Sequence, residues 1–561
     1  MDAADRPTNT QGRPGAARSG WWQAALTGAL VGLLLAAPLL ALFYLGFALF
    51  ELPFVPFDVL DWTARTLPGD IITLVISAMV TLIAALQLGE TSSTAKTIEH
   101  IMGIAGLAAT AALGGAALFA FMRGRQPGDG LLPGAILGAV IGVPVALISA
   151  SVNFISPADE LTRAIWIIGL FVGWGVTAEW ARARLAGAAG QPQAQPDGVT
   201  VIDRRTFLVQ LGGAAAAVTV VGAGLGSLFG QRSDAERLAA IPTSDVELPP
   251  GLPNADDPVR PAPGTRPEYT PLADHYRIDI SALPPRIEGE TYTLPITGLV
   301  DNPLELTLDD IRAYDSVDQF VTLACISNRV GGDLIGTTRW TGIPMQRILA
   351  DAGLQAEARY LRIYGADGFD ETVDIESINN DPRIMLTYAW DGQPLTQDHG
   401  FPLRIYIPDR YGMKQPKWIT RIDVVAGYED GYWVRRGWDE VARMLSTSVV
   451  DTVAVGAAYE DGGALRIPVG GIAHAGARGI ARVEVRVDDG EWAEAELRRP
   501  LSGTTWVIWR YDWPFAEGRH TFAVRCVETN GVPQNPNSAP PRPSGATGIH
   551  TRTVTVSTPE A

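Results

Sequence analysis

Cysteine is nearly absent from this chain: 561 residues contain two, Cys325 and Cys526. Two cysteines exclude a disulfide framework, and without a CxxC, a CxxCH or a Cys/His cluster the sequence offers no zinc, iron–sulfur or c-type haem motif. Blocks of Lys or Arg are missing from the segments with folded character, and the net charge is −17 with a pI of about 4.9. That balance argues against a nucleic-acid surface and requires a local basic pocket for any anionic ligand. Apolar residues are in excess instead: 47% of the chain, with a mean hydropathy of +0.11, which points to a membrane portion. At ~100–200 residues per domain, the length predicts three or four units.

The first 180 residues carry five uncharged apolar runs near the ~20 residues a membrane helix needs, at about 21–50, 70–89, 98–122, 131–152 and 163–180. The insert "ELPFVPFDVLDWTARTLPGD", rich in aromatics and proline, reads as an interfacial segment. A small-residue linker then leads to "DRRTFLVQLGGAAAAVTVVGAGLGSLFG". Two readings fit it: a sixth membrane helix anchored by inside-facing arginines, or an internal twin-arginine export signal. Both keep Arg204 and Arg205 in the cytoplasm and put everything after about residue 230 outside. Six helices then place the N-terminus outside as well, with Arg65, Arg123, Arg125, Arg182, Arg184, Arg204 and Arg205 inside against Arg6, Arg13, Arg18, Lys96 and Arg163 outside. "GAGLGS" follows no strand and reads as small residues of a membrane helix. The runs show no buried acid and no basic relay, and His100 is their only nearby histidine, so neither a bis-histidine haem nor an ion pathway is expected.

Residues 231–272 are proline-rich and aperiodic and read as an extended tether. From about 273, strands such as "YTLPITGLV" and "PLRIYIP" alternate with helical pieces such as "PMQRILADAG". After about 446, alternating stretches such as "ARVEVRVDDGEWAEAEL" separated by Gly/Asp/Asn turns predict an immunoglobulin-like sandwich, in which Cys526 is a small buried hydrophobe. The expected order is a tail (1–20), a five-helix transmembrane region (21–185), a linker with the twin arginine (186–205), a sixth helix or export signal (206–230), the tether (231–272), an α+β domain (273–445) and the all-β domain (446–561).

Cys325 sits in "VTLACISNRVGGDLIGTTRW", Val321 to Trp340, at the end of an apolar strand and before a glycine-rich polar segment. A cysteine after "VTLA" can be ordinary core. A glycine-rich segment directly after a buried strand is, however, how backbone approaches a ligand closely, and a thiolate there can hold a soft metal.

The stretch resembles the sulfite oxidase-type molybdopterin enzymes, whose pattern stands here as Cys325, Asn328, Arg329 and "WTGIP" from Trp340 to Pro344. "DGQPLTQDHGFPLRIYIP", "KQPKWI" and "GIAHAGARGIARVEVRVDDGEW" extend the resemblance over most of 273–561. Together with the apolar runs it gives an expected multidomain fold: an N-terminal α-helical transmembrane bundle, then, as the resemblance implies, an α+β molybdopterin domain and an all-β immunoglobulin-like dimerisation domain. It implies molybdenum on molybdopterin as cofactor, with Cys325 as the metal's protein ligand and His275, Tyr276, Arg277, Asp367, His399, Arg404, Gln415, Pro416 and Lys417 around the cofactor. Arg277 and Tyr388 fall where the family keeps an arginine and a tyrosine at the reacting centre. The implied reaction is two-electron oxygen-atom transfer, with sulfite or a related sulfur compound as substrate and a separate cytochrome or quinone-linked electron partner. A homodimer through the C-terminal domain and contact with membrane lipid complete the expected partners. Animal sulfite oxidases place a second arginine five residues after the cysteine, where this chain has Val330, and they carry a tryptophan-containing insert that it lacks. Reduction of an S-oxide is therefore the alternative within the family, and a membrane-anchored binding module with an empty cofactor fold is the alternative outside it.

Overall fold

The computed structural model describes residues 20–86, 88–123, 125, 130–153, 156–187, 204–240 and 251–557. Two units emerge: residues 1–63 with 99–236, and residues 64–98 with 237–561.

Among the described residues, seven helices occupy the N-terminal part: α1 (Trp21–Phe50), α2 (Val55–Thr66), α3 (Gly69–Leu86), α4 (Thr91–Phe121), α5 (Leu132–Val152), α6 (Glu160–Gly187) and α7 (Arg204–Ala240). Among the described residues five are long and apolar enough to cross a membrane, namely α1, α4, α5, α6 and α7. Within the first unit they pack through glycine. A Cβ on Gly28 of α1 would stand 2.2 Å from the Gly115 carbonyl oxygen of α4, and one on Gly134 of α5 would stand 2.2 Å from that of Gly175 in α6. Such close backbone approach is how helices associate where no hydrophobic drive separates them from lipid.

Three features depart from the sequence reading. The run at 70–89 forms the shorter helix α3, which folds with the second unit, where Arg542 pairs with Asp70 and Arg329 donates to the Thr81 hydroxyl. The first unit also contains buried ionic groups. Asp58 of α2 accepts from Ser149 and from Asn153 Nδ2, and Glu179 pairs with Arg182 at 2.6 Å on α6. They were hidden because each is a single polar residue in an apolar context whose partner comes from another helix or the next turn. Thirdly, the described parts of the proline-rich tether are folded: residues 231–240 continue α7, and from residue 251 the chain is tied to the second unit. Arg498 donates to Glu268 at 2.9 Å and to the Asn254 carbonyl at 2.8 Å, and Arg266 pairs with Asp451 at 2.7 Å. Residues 241–250 lie outside the described residues.

The rest of the second unit is built on three sheets. One runs β2 (Leu304–Thr307), β1 (Thr293–Gly298), β10 (Ile419–Val425), β5 (Tyr360–Gly365), β6 (Asp370–Asp374), with β1 and β10 parallel and the other pairs antiparallel. A second places β3 (Val317–Ala324) beside β4 (Ile335–Pro344) and β4 beside β7 (Met385–Trp390), which also pairs β8 (Gln393–Pro394) and β9 (Arg404–Tyr406). Short helices α8 (Leu308–Ala313), α9 (Met345–Ala352) and α10 (Ile375–Asn380) connect them. The α8 start is set by a capping box in which Thr307 Oγ1 accepts from Asp310 N and the Asp310 carboxylate accepts from Thr307 N. Fully buried Ile296, Trp340, Leu361, Trp390, Ile405 and Ile422 make these two sheets one core.

From Thr447 the chain is all β: β11 (Thr447–Val453), β12 (Tyr459–Asp461), β13 (Ala464–His474), β14 (Ile480–Val487), β15 (Ala493–Leu497), β16 (Val507–Pro514), β17 (Gly518–Glu528) and β18 (His550–Val556). The order β11-β13-β16-β15-β14-β17-β18, with β12 on β13, forms one curled sheet, and β11 returns beside β17 and β18 to bring it near closure. Cys526 is fully buried in its core, where its thiol donates to Gln534 Oε1 at 3.3 Å. A further cluster, including Ala324, Ile326, Ile335, Tyr411, Ile472 and Trp506, seals the all-β domain against the end of β3. That junction is where Cys325 lies.

Candidate active site

Cys325 is the first residue after β3, and its amide donates to the Leu334 carbonyl at 2.9 Å, so residues 326–334 form a closed loop before β4. Inside the loop, Asn328 Oδ1 accepts from Leu334 N at 3.0 Å and Asn328 N donates to the Cys325 carbonyl at 3.0 Å. The glycine pair is sterically required. Gly331 has φ +82°, and a Cβ on Gly332 would stand 2.4 Å from Asn328 Oδ1. Sγ of Cys325 lies 3.0 Å from Ser327 Oγ. Burial pushes the thiol above its ordinary pKa, against a smaller opposing effect from Ser327, and no cationic side chain contributes. Such a thiol is inert as a nucleophile at neutral pH, but coordination to a metal would deprotonate it.

Next to the cysteine lies a buried aromatic and cationic cluster. The His275 ring packs on Trp390 at 4.9 Å and meets the His399 ring edge-on at 5.7 Å, while Arg404, from β9, lies over Trp340 at 4.6 Å and Trp390 at 5.1 Å. Gly336 makes room for the imidazole, since a Cβ there would stand 2.7 Å from His275 Cδ2. Arg404 Nη1 donates to the His399 carbonyl at 3.1 Å. Burial, with Arg404 and Lys417 nearby, holds His275 down to about 3; burial together with His275 and the same cations holds His399 down to about 2. Both imidazoles are neutral hydrogen-bonding groups. Burial lowers Arg404 to about 10, so it stays charged, and lowers Lys417 to about 8 although Asp279 opposes the shift.

Asp279 organises the cationic side. It accepts from Lys417 and from Arg277, and despite a burial effect in the other direction these two cations hold its carboxyl well below the usual range. Arg277 also pairs with Asp398 at 2.7 Å, and Lys417 donates to the Asp398 carbonyl at 3.2 Å. Asp367 accepts from Phe369 N at 3.0 Å, and its carbonyl accepts from Arg65 at 2.7 Å. Gln415 Nε2 donates to the Arg410 carbonyl at 2.9 Å, and the Pro416 carbonyl accepts from Ile405 N at 3.2 Å.

The expected residues thus fall into one region, with two qualifications. Arg277 is committed to two carboxylates. Tyr388 is buried on β7 in the main core, and its hydroxyl makes no hydrogen bond to Cys325. The tyrosines that sense the thiol electrostatically are Tyr276 and Tyr411. Sequence reading missed Asp279, which the charge alternation of "YRID" could have flagged. It also missed Trp340 and Trp390 as the clamp on Arg404, and Arg65 from the N-terminal insert, for which nothing local gives a signal.

The donor set fits a phosphorylated pterin. Buried His275 Nε2, Arg404 Nε and Gln415 Oε1 have no hydrogen-bond partner among the described residues, and they sit beside two buried cations suited to a phosphate. A soft thiolate position suited to molybdenum stands within electrostatic reach of the same cluster through Tyr276.

Burial raises Asp367 from 3.8 to about 6. The folded group therefore binds its proton more tightly than the unfolded one, and the stability this gives is present below pH 4 and lost as pH rises through about 6. In chain prepared without cofactor, Asp367→Asn is expected to exceed the parent in stability by up to about 3 kcal/mol above pH 6 and by little at pH 4. Thermal unfolding across that range checks it; a constant difference would remove the buried-carboxylate account.

Residues 281–433 match the oxidoreductase molybdopterin binding domain family. Mitochondrial sulfite oxidase of Rattus norvegicus is 27% identical over 270 residues, which is 40% of this chain and 50% of that protein. The putative protein-methionine-sulfoxide reductase subunit YedZ1 of Azospira oryzae is 31% identical over 153 residues, 27% of this chain and 56% of its own length. Among solved structures, the sulfane dehydrogenase SoxCD of Paracoccus pantotrophus is 20% identical, covering 51% of this chain and 81% of its own, with a TM-score of 0.44. The chain spans about half the length of the mitochondrial sulfite oxidases it matches. Residues 281–433 thus form an oxidoreductase molybdopterin binding domain, with Cys325 at the strand end and the basic cluster beside it, and this part of the chain is similar to sulfite oxidases.

Proposed function

We propose that the chain is a membrane-anchored molybdopterin oxidoreductase that transfers an oxygen atom to or from sulfur. The observation carrying this reading is the juxtaposition of the Cys325 thiol, buried neutral His275 and His399, and buried cationic Arg404 and Lys417. When bound, the molybdenum cofactor supplies the two-electron oxygen-atom transfer. Cys325 holds the metal, and Ser327 Oγ, 3.0 Å from Sγ, tunes the thiolate by hydrogen bonding. Arg404 and Lys417 hold the phosphate, with Asp279 keeping Lys417 oriented. Asp367, His275 and His399 fix the pterin's orientation through its ring nitrogens and amino groups, and Gln415, Pro416 and Tyr276 complete its walls. Tyr276 and Tyr411 are pushed above their ordinary values by burial and by the thiol's field, Tyr411 to about 12, so both remain proton donors on this side of the site. The resemblance assigns Arg277 and Tyr388 to the substrate.

Sulfite oxidation is the reading the resemblance carries. S-oxide reduction is favoured by one feature of this chain: Val330 replaces a cation, and Arg277 is already paired with Asp279 and Asp398, which suits a neutral substrate better than an anion. Expression in a cofactor-competent host is expected to give about one molybdenum and one pterin per chain; absence of both would leave the binding-module reading. Turnover with sulfite and an artificial acceptor, compared with an S-oxide and a reduced dye, then fixes the direction.

Five spans also support a simpler topology than six. With Arg204 and Arg205 cytoplasmic, the N-terminus is inside and the cofactor domain outside. The inner segments then carry Arg6, Arg13, Arg18, Arg123, Arg125, Arg182, Arg184, Arg204 and Arg205, against Arg65, Lys96 and Arg163 outside, a far clearer positive-inside bias. Export of a domain that binds its cofactor in the cytoplasm suits the twin-arginine reading of "DRRTFL".

A further inference from the structure

We propose that α3 lies flat in the membrane interface, as an in-plane helix that seats the cysteine loop of the cofactor domain on the bilayer. Its sequence from Ile71 to Gly89 holds no charged residue. One stripe, ending at the buried Ile83, packs inward; the opposite stripe is equally apolar and stays exposed, with Leu74 at 70%, Leu82 at 52% and Leu86 at 58%. The spacing of Ile71, Leu74, Val75, Ala78, Leu82, Ala85 and Leu86 makes this a continuous helical face, which is a membrane-contact surface when no protein covers it.

The contacts rule out a crossing orientation. Gly69 abuts the Arg436 carbonyl and Asp70 pairs with Arg542; from the middle of the helix onward, Arg329 donates to the Ser77 carbonyl at 3.4 Å and to Thr81 Oγ1 at 2.8 Å; past its end, Thr91 N donates to Asp333 Oδ2 at 2.7 Å. One polar domain therefore grips the helix along its ~27 Å length, at 1.5 Å per residue. A helix held that way at both ends and in the middle cannot traverse a bilayer.

Lipid is the occupant because of chain continuity. The segment leaves the candidate span α1 at Phe50 and enters the candidate span α4 at Thr91. Leu86 is five residue steps from Thr91, a reach of at most ~18 Å, so the exposed stripe stays near the start of α4. Arg329 belongs to the loop that begins at Cys325, so this loop is tied directly to the embedded helix.

The inference rests on the membrane reading of the five long helices, and the test separates the two. Leu74→Cys, Leu82→Cys and Leu86→Cys are made singly in the full chain, spin-labelled and reconstituted in lipid nanodiscs; Cys325 and Cys526 are buried, and the unsubstituted chain gives the labelling background. Collisions with oxygen and with a nickel chelate report depth. The expected result is oxygen-favoured contact for all three labels at one shallow depth, within ~5–10 Å of the headgroup boundary. A depth changing steadily by ~18 Å from 74 to 86, chelate access at all three, or dipolar broadening that vanishes on dilution with unlabelled chain each overturns it, the last in favour of a second copy. Leu147→Cys on α5, 68% exposed, is the control: lipid contact there with none on α3 rejects this proposal alone, and none at either position rejects the membrane reading.

Discussion

Cys325→Ser is expected to leave the fold intact and to lower turnover by more than ~100-fold, beyond the 10–100-fold typical of groups that only orient metal ligands. Serine preserves the volume, and the backbone bond from residue 325 to Leu334 does not depend on the side chain. What is lost is the single sulfur the protein can place at the end of β3, since Cys526 is buried in the core of another domain. Metal analysis and turnover on the same preparation check it, with thermal unfolding as the control for folding. Full activity in the serine variant would remove the metal-ligand assignment, and with it the reading of the whole loop.

Arg404→Ala is expected to weaken retention of the pterin ~10–100-fold, the value of one charge-assisted hydrogen bond of about 1.5–3 kcal/mol. Arg404→Lys is expected to recover little of it, because a point charge restores neither a planar group lying against Trp340 and Trp390 nor the forked donors that phosphate accepts. Pterin released per chain after washing, measured by fluorescence, gives the loss. If the alanine variant keeps a full complement, the phosphate is held elsewhere, and Lys417 with Asp279 becomes the place to look.

The strand-to-glycine transition at Cys325 and the "DHGFPLR" and "KQPKW" segments were legible because their chemistry is concentrated in contiguous residues. His275, His399, Arg404 and Lys417 lie close together in the fold. What stayed hidden depends on partners distant in sequence. Asp58 is an isolated acid until Ser149 and Asn153 meet it, and residues 251–272 look like a tether until Arg498 and Asp451 bind Glu268 and Arg266. The run at 70–89 has the composition of a span, and only Arg542, Arg329 and Asp333, far downstream, reveal what the segment packs against.

The cysteine loop also fixes an order of events in the life of the chain. Gly331 packs against the His550 imidazole, Arg266 reaches the Gly332 carbonyl at 3.4 Å, and Arg329 reaches back to Thr81. One wall of the loop therefore comes from the first hundred residues and another from residue 550 of 561. While the ribosome is still making the last strand, the loop beside Cys325 is open on that side. Loading of the cofactor into a fully walled site consequently waits until the strand carrying His550 has joined the fold.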